Sequence, residues 1–265
     1  MKFLKKIKKI IDSIILRLCP IFYMGLTRAQ DSHDRFLFGC EVIKSKSKSE
    51  NIQVTDVGCG SGNFYIYLRS AFPNCNYLGV DFDVKKISSQ KYKDDKFKIE
   101  ERDLRKELSI GKFDFVWSSE VIEHIIDDQF FFKNLVNSVK DDGYIILTAP
   151  SLTGIKYFYN KFKWSLQVSK IEDGGHVKLG YDENELKLLA EKNNLELLDI
   201  YYITECNDFR AKNIGKINNG FYCYFFNILY FLKFFNFKRF KNKKNILVEL
   251  NYLSIGAVFK KRLNQ

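Results

Sequence analysis

The heptapeptide DVGCGSG, residues 56–62, decides the fold. Ile52, Val54 and Val57 run into it as the apolar positions of a short strand, QVTDV. The residues that follow, Ser61 to Ala71, read as a helix stopped before Pro73. A strand that enters a glycine turn and then a helix N-terminus is an arrangement that binds nucleotides. Glycine takes positive φ there and lets a ligand come up against the backbone. The spacing of Gly58, Gly60 and Gly62 is GxGxG, not the GxGxxG of dinucleotide enzymes. No Gly-Lys-Ser/Thr follows, which excludes a P-loop. With Asp56 at its head and no phosphate-binding lysine, the loop suits a ligand with a positive end.

Working outward, the chain alternates. NYLGVD (76–81), FKIEERD (97–103), FDFVWSS (113–119), GYIILTAP (143–150) and LELLDIYYI (195–203) read as strands, and 246–260 has strand character. Helices are expected at 29–43, from VKKISSQ (84–90), after FDFVWSS to about Lys140, and from Asp182 to Asn193. Asp182 is placed as the N-cap of that last helix, with Glu185 three residues on. Residues 151–180 are less regular and rich in aromatics. Such alternation implies an α/β fold: a largely parallel sheet with helices on both faces. Asp81 ends the second strand about twenty residues past the loop, where a carboxylate can accept both hydroxyls of a ribose. Asp103 follows the third strand, and EVIEHI (120–125) follows the fourth.

These four pieces, in this order, resemble the class I S-adenosylmethionine-dependent methyltransferases over about residues 52–203. The resemblance implies a Rossmann-like, seven-stranded methyltransferase sheet with S-adenosylmethionine as cofactor. It places Gly58, Gly60 and the loop backbone, with Cys59 and Gly62, beside the methionine moiety, and Asp56 near its amino group. Asp81 would hold the ribose, Phe82 would lie beside the adenine and Asp103 would bond its amino group. Leu104 and Ser119 complete the implied cofactor-binding set.

EVIEHI carries the reactive side chains. As a helix, its i, i+3, i+4 spacing would put Glu120, Glu123 and His124 on one face. Two carboxylates and an imidazole so crowded call for a positive charge between them, such as a divalent cation, Mg or Zn. EVIEH is similar to the corresponding stretch of the ubiquinone-biosynthesis O-methyltransferases and of the small-RNA 3′-end 2′-O-methyltransferases. In the second group the stretch supplies metal ligands that a later histidine completes. His176, in GGHVKLGYDENEL, stands in roughly that place. The candidate metal set is therefore Glu120, Glu123, His124 and His176, and the candidate catalytic set His124, Glu120 and His176. Without a metal, Glu120 shapes the pocket, Glu123 caps or pairs locally, and His124 serves as a base or a hydrogen-bonded residue. His33 is expected at the surface or lining a pocket.

Composition bounds the rest. At 265 residues the chain holds one large domain or a domain with an appendage. We divide it into N-terminal helices and linker (1–50) and a methyltransferase domain (51–265), the latter with an acceptor cap (151–180) and an apolar, basic insertion before the last strand (204–247). The net charge of +11 is clustered at Lys2–Lys9 and Lys238–Lys244, which favours an anionic surface or is simply solvated. Residues 1–18 form a basic amphipathic pattern without a cleavage site, suited to an anionic membrane surface or to the protein's own body. The run 220–237 is interrupted by Asn227 and Lys233, which argues for lying on a membrane or over a pocket rather than spanning. Six scattered cysteines make no CxxC pair and suit a reducing compartment, the cytoplasm. Three readings follow: methyl transfer to a small-molecule or lipid-linked hydroxyl, peripheral on the inner membrane; methyl transfer to RNA, against which the lysines lack interleaved aromatics; or cofactor binding without catalysis.

Overall fold

A computed structural model describes residues 30–83, 95–103, 105–106, 110–163, 166–172, 174–206, 240–242 and 251–262. The expected helices over 1–18 and from 84, the residues Leu104 and Trp164, and the apolar run 220–237 lie outside the described residues.

The elements in chain order are α1 (Gln30–Lys46), β1 (Gln53–Val57), α2 (Phe64–Ala71), β2 (Asn76–Asp81), β3 (Phe97–Glu101), β4 (Phe113–Ser119), a single 3-10 turn (Ile122–His124), α3 (Asp128–Ser138), β5 (Val139–Pro150), α4 (Leu152–Phe162), α5 (Glu183–Lys192), β6 (Leu195–Glu205), β7 (Phe240–Asn242) and β8 (Tyr252–Lys261). The sheet runs β3-β2-β1-β4-β5-β8-β6-β7. Strands β1 to β5 are parallel, and β8 inserts antiparallel between β5 and β6. The chain leaves β1 toward β2 on one side and returns at β4 on the other. That reversal opens a crevice at the carboxyl ends of β1 and β4, where ligands bind in open α/β sheets.

The side-chain period of two divides the core between the faces. Val116 of β4 and Ile145 and Leu147 of β5 join Phe131, Phe132 and Leu135 of α3 and Leu186 and Leu189 of α5. Phe115 and Trp117 of β4 and Ile146 of β5 join Phe38 and Ile43 of α1 and Phe64 and Leu68 of α2. Phe64 stacks on Trp117 at 4.6 Å between ring centroids. Helix α1 thus belongs to the body of the domain, covering one sheet face.

Among the described residues the sheet has eight strands rather than the expected seven. The addition, β7, is a three-residue edge paired antiparallel to β6. Its polar side chains tie it down: Asn242 Nδ2 donates to Asp199 Oδ1 at 2.8 Å, and Lys241 lies 3.9 Å from Glu205. A charged, very short edge strand carries no alternating apolar signal, so periodicity misses it. The 151–180 stretch is more regular than expected at its start, where Ser151 caps α4 by accepting from Gly154 N–H at 3.2 Å. Of its aromatics, Phe158 is core, packed with Cys206, whereas Tyr159 is exposed. Helix α5 has the expected cap: Asp182 accepts from Glu185 N–H and Glu185 accepts from Asp182 N–H, at 3.0 and 2.9 Å. The four described cysteines, Cys40, Cys59, Cys75 and Cys206, are free and buried.

Candidate active site

The glycine loop folds over the end of β2. Gly58 N–H and Cys59 N–H both donate to Val80 O, at 2.8 and 3.1 Å. Gly58, with φ +80°, is the position that tolerates nothing larger. A Cβ there would fall inside Val121 Cγ2, at the exit of β4. Asp81 fixes the other side of the loop. Its buried carboxylate accepts from Gly60 N–H at 2.8 Å and from Asp83 N–H at 3.0 Å.

A cleft of about 180 Å³ opens at this end of the sheet. Of the expected cofactor residues, Gly58, Asp81, Phe82 and Asp103 line it, and Glu120 and His124 line its other side. Phe82 presents its ring at the mouth, 54% exposed. Asp56, Cys59, Gly60, Gly62 and Ser119 lie outside that lining. The Asp56 carboxylate turns into the sheet and accepts from Tyr77 O–H at 2.6 Å. Burial pushes that carboxyl up to about 7, against the Tyr77 hydrogen bond and with help from the Asp81 charge. Burial also raises the Cys59 thiol. Ser119 Oγ hydrogen-bonds with Thr148 Oγ1 at 2.8 Å. A larger recess, about 660 Å³, lies on α4 between Lys156, Tyr157 and Asp182, lined by none of the expected site residues.

The EVIEH stretch does not form the expected helical face. Glu120 takes φ +55°, a left-handed conformation uncommon outside glycine, asparagine and aspartate. One 3-10 turn follows, and Ile125 is already extended. The side chains therefore diverge. Glu120 points toward α1 and β5: its Oε2 lies 3.7 Å from Arg35 and its Oε1 accepts from Thr148 O–H at 3.3 Å. Burial pushes the Glu120 carboxyl up while the Arg35 guanidinium opposes it. Arg35 is itself buried, yet Glu120 and Asp31 hold its pKa above the ordinary value.

Glu123 goes the other way. Its side chain is fully enclosed, and among the described residues neither carboxylate oxygen has a hydrogen-bond partner. Burial, then the Glu120 charge, drive its carboxyl well above the usual range. Its backbone carbonyl accepts from Val177 N–H and Lys178 N–H at 2.9 and 3.1 Å, which pins the 176–178 segment beside it. That brings His176 to His124, ring centroids 4.7 Å apart and nearly perpendicular. His124 Nδ1 lies 2.9 Å from Gly175 O. A carbonyl only accepts, so Nδ1 carries a proton, and in the neutral ring the lone pair is on Nε2. That Nε2 is 3.7 Å from Glu123 Oε1. Burial and His124 lower the His176 pKa, which keeps that ring neutral.

Glu123, His124 and His176 thus each offer a ligand atom within 4.8 Å of the others. Glu120 does not join them, a correction to the four-residue set that follows from its left-handed backbone. His33 is neither at the surface nor in the cleft: it is buried, with Nδ1 2.6 Å from Tyr67 Oη. Sequence reasoning missed Arg35, Arg105 and Glu172. The i, i+4 pair Asp31–Arg35 was the one available signal, and it marks any exposed helix equally well.

Residues 55–145 match the family described as a methyltransferase domain. The described fold also superposes on a S-adenosylmethionine-dependent methyltransferase from Archaeoglobus fulgidus with a TM-score of 0.55, at 18% identity over 91% of this chain and 98% of that one. Residues 55–145 thus carry a methyltransferase domain, on a fold shared with S-adenosylmethionine-dependent methyltransferases. The chain is 28% identical over 165 residues to the ubiquinone biosynthesis O-methyltransferase of Pelagibacter ubique, covering 58% of this chain and 66% of that enzyme. Over the first curated relatives it matches, the chain spans 66%, 5% and 54% of their length. The methyltransferase domain of a bacterial Hen1 shares the fold with a TM-score of 0.54, at 18% identity over 87% of this chain and 99% of that one. Among the described residues no helix is long and apolar enough to cross a membrane.

Proposed function

We propose that this methyltransferase acts on a hydroxyl of a small-molecule or lipid-linked acceptor held over the Glu120–His124 exit of β4. The observation that carries the reading is one cleft bounded by the glycine loop and Asp81 on one side and by Glu120 and His124 on the other. The residues present fit the cofactor. Gly58 has no room for a side chain, Asp81 offers a buried carboxylate with its oxygens fixed by two N–H donors, and Phe82 offers an apolar plane.

S-adenosylmethionine supplies a methyl group already activated on a sulfonium. The protein has then to align the acceptor, exclude water and take one proton. His124 suits the last task, because Gly175 O fixes its tautomer and leaves Nε2 free to accept. Glu120, anchored by Arg35 and Thr148, shapes the acceptor side of the cleft.

A metal fits beside it. A buried carboxylate with unpartnered oxygens next to two imidazoles is the arrangement a cation would complete. Glu123, His124 and His176 would hold it, His124 through the same Nε2 and so as a ligand in place of a base, and two nitrogens with one oxygen favour a zinc-class ion over magnesium. Such an ion lowers the pKa of an acceptor hydroxyl. The same trio keeps three of the four ligands that the small-RNA resemblance implies, which supports a second reading, an RNA 2′-hydroxyl as acceptor. Location at the cytoplasmic membrane face rests on the sequence of residues 1–18 and 220–237.

The test is transfer from methyl-tritiated S-adenosylmethionine into a cell extract split between organic and aqueous phases, with and without chelator. Label in the organic phase, lost on chelation and restored by zinc, is the expected result. RNase-sensitive label in the aqueous phase would replace this acceptor with RNA. Transfer indifferent to chelator would remove the metal and leave His124 as the base alone.

A further inference from the structure

The groups assigned above to the nucleoside are engaged by the chain itself. Arg105 takes both oxygens of Asp103, Nε to Oδ1 at 2.9 Å and a terminal nitrogen to Oδ2 at 3.1 Å, and its backbone N–H adds a third bond at 3.1 Å. This holds the Asp103 carboxyl at about 2. The same guanidinium lies 5.7 Å from the centroid of the Phe82 ring. Its remaining terminal nitrogen reaches Glu172 Oε2 at 3.4 Å. Glu172 comes from the connection between α4 and α5, and its other oxygen accepts from Ile126 N–H at 2.7 Å. One side chain therefore bridges the end of β3, the ring at the cleft mouth, and a strap anchored just past His124. The strap continues four residues on to His176. The cleft, about 180 Å³, is smaller than the roughly 300–1,000 Å³ that a cofactor-sized ligand fills.

We propose that Arg105 is a plug in the adenine position, latched by Glu172, which the cofactor must displace to bind. This rests on the cofactor reading given above. Arginine suits the role because its planar guanidinium pairs with a carboxylate and lies on an aromatic face at once, as an adenine would. The Arg105 side chain is about half exposed, which screens its pairs with Asp103 and Glu172 and leaves the latch weak enough to open. Every closed molecule is unable to take the ligand, and apparent affinity falls by the open fraction.

The test is calorimetric titration of the full chain with S-adenosylhomocysteine. Arg105→Ala removes the plug. Glu172→Gln keeps an oxygen for Ile126 N–H and loses the charge facing Arg105. The expected result is binding about fivefold tighter for Arg105→Ala, the factor lost when roughly four molecules in five are latched, and a smaller gain for Glu172→Gln. Raising salt should tighten binding to the wild type, by screening the latch, and leave Arg105→Ala flat. Weaker binding by Arg105→Ala would make Arg105 a cofactor ligand and overturn the proposal, as would unchanged affinity with no salt response. Asp81→Asn separates the two levels. If it binds as well as the wild type, or if neither the wild type nor Arg105→Ala binds, the cofactor reading has failed and the plug with it.

Discussion

Replacing Glu123 by methionine should make the protein more stable in the presence of chelator. Glu123 is fully enclosed and neither carboxylate oxygen finds a hydrogen bond among the described residues. The nearby Glu120 adds like charge. A buried polar group left unpartnered costs about 1–3 kcal/mol, and methionine fills a similar volume without that cost. The expected gain is therefore about 1–3 kcal/mol. For a chain of this size each kcal/mol moves the thermal midpoint by about 2–4 °C. Unfolding in urea, followed by circular dichroism with and without chelator, reads the difference at constant m-value. Zinc should then reverse the order: at about a hundred times its dissociation constant it adds about 2.7 kcal/mol to the wild type and nothing comparable to the variant. A variant less stable than the wild type under chelator would show that the fold itself satisfies this carboxylate. The reason for reading Glu123 as a ligand would then be gone.

Other perturbations have equally definite outcomes. Gly58→Ala should abolish S-adenosylhomocysteine binding, read by calorimetry, because the added Cβ meets Val121 and φ +80° disfavours alanine. Asp56→Asn should flatten the pH dependence of stability. The Asp56 pKa is raised in the fold to about 7, so its contribution is full below about 4 and is lost as pH rises through 7. Asparagine still accepts from Tyr77 without titrating, so urea midpoints of the variant should hold steady across that window while those of the wild type fall. Gly154→Ala should destabilise the fold by about 1–3 kcal/mol, since its Cβ would strike the backbone oxygen of Tyr252 where α4 crosses β8. Cofactor binding by that variant, measured well below its melting temperature, should be unchanged.

The parallel half of the sheet was legible because its signals are local. QVTDV and FDFVWSS begin and end where β1 and β4 do, and glycines mark the turn between β1 and α2. The carboxylates Asp81 and Asp103 could be placed because strand ends fix their positions. What escaped was whatever depends on a single backbone angle or on distant partners. A left-handed Glu120 parts its own side chain from those of Glu123 and His124, and no helical wheel foresees it. Arg35 reaches Glu120 from α1, eighty-five positions earlier in the chain, and Glu172 reaches Arg105 across the cleft. Asp56 reads as a ligand from its motif and turns instead to Tyr77, a partner on the neighbouring strand. His176 is the opposite case: its place in the sequence was suggestive, and the hydrogen bonds of the Glu123 carbonyl explain how it reaches His124.

The central claim is that one cleft at the carboxyl ends of β1, β2 and β4 holds S-adenosylmethionine and serves methyl transfer. The most direct measurement compares tritium transfer from methyl-labelled cofactor into the extract acceptor by the wild type and by Asp81→Asn, at equal folded concentration. Label is expected with the wild type and a loss of at least about tenfold with Asp81→Asn, whose amide removes the charge offered to the ribose and leaves one oxygen, not two, for the N–H groups of Gly60 and Asp83. Equal transfer by both proteins would contradict it and move the cofactor away from this cleft.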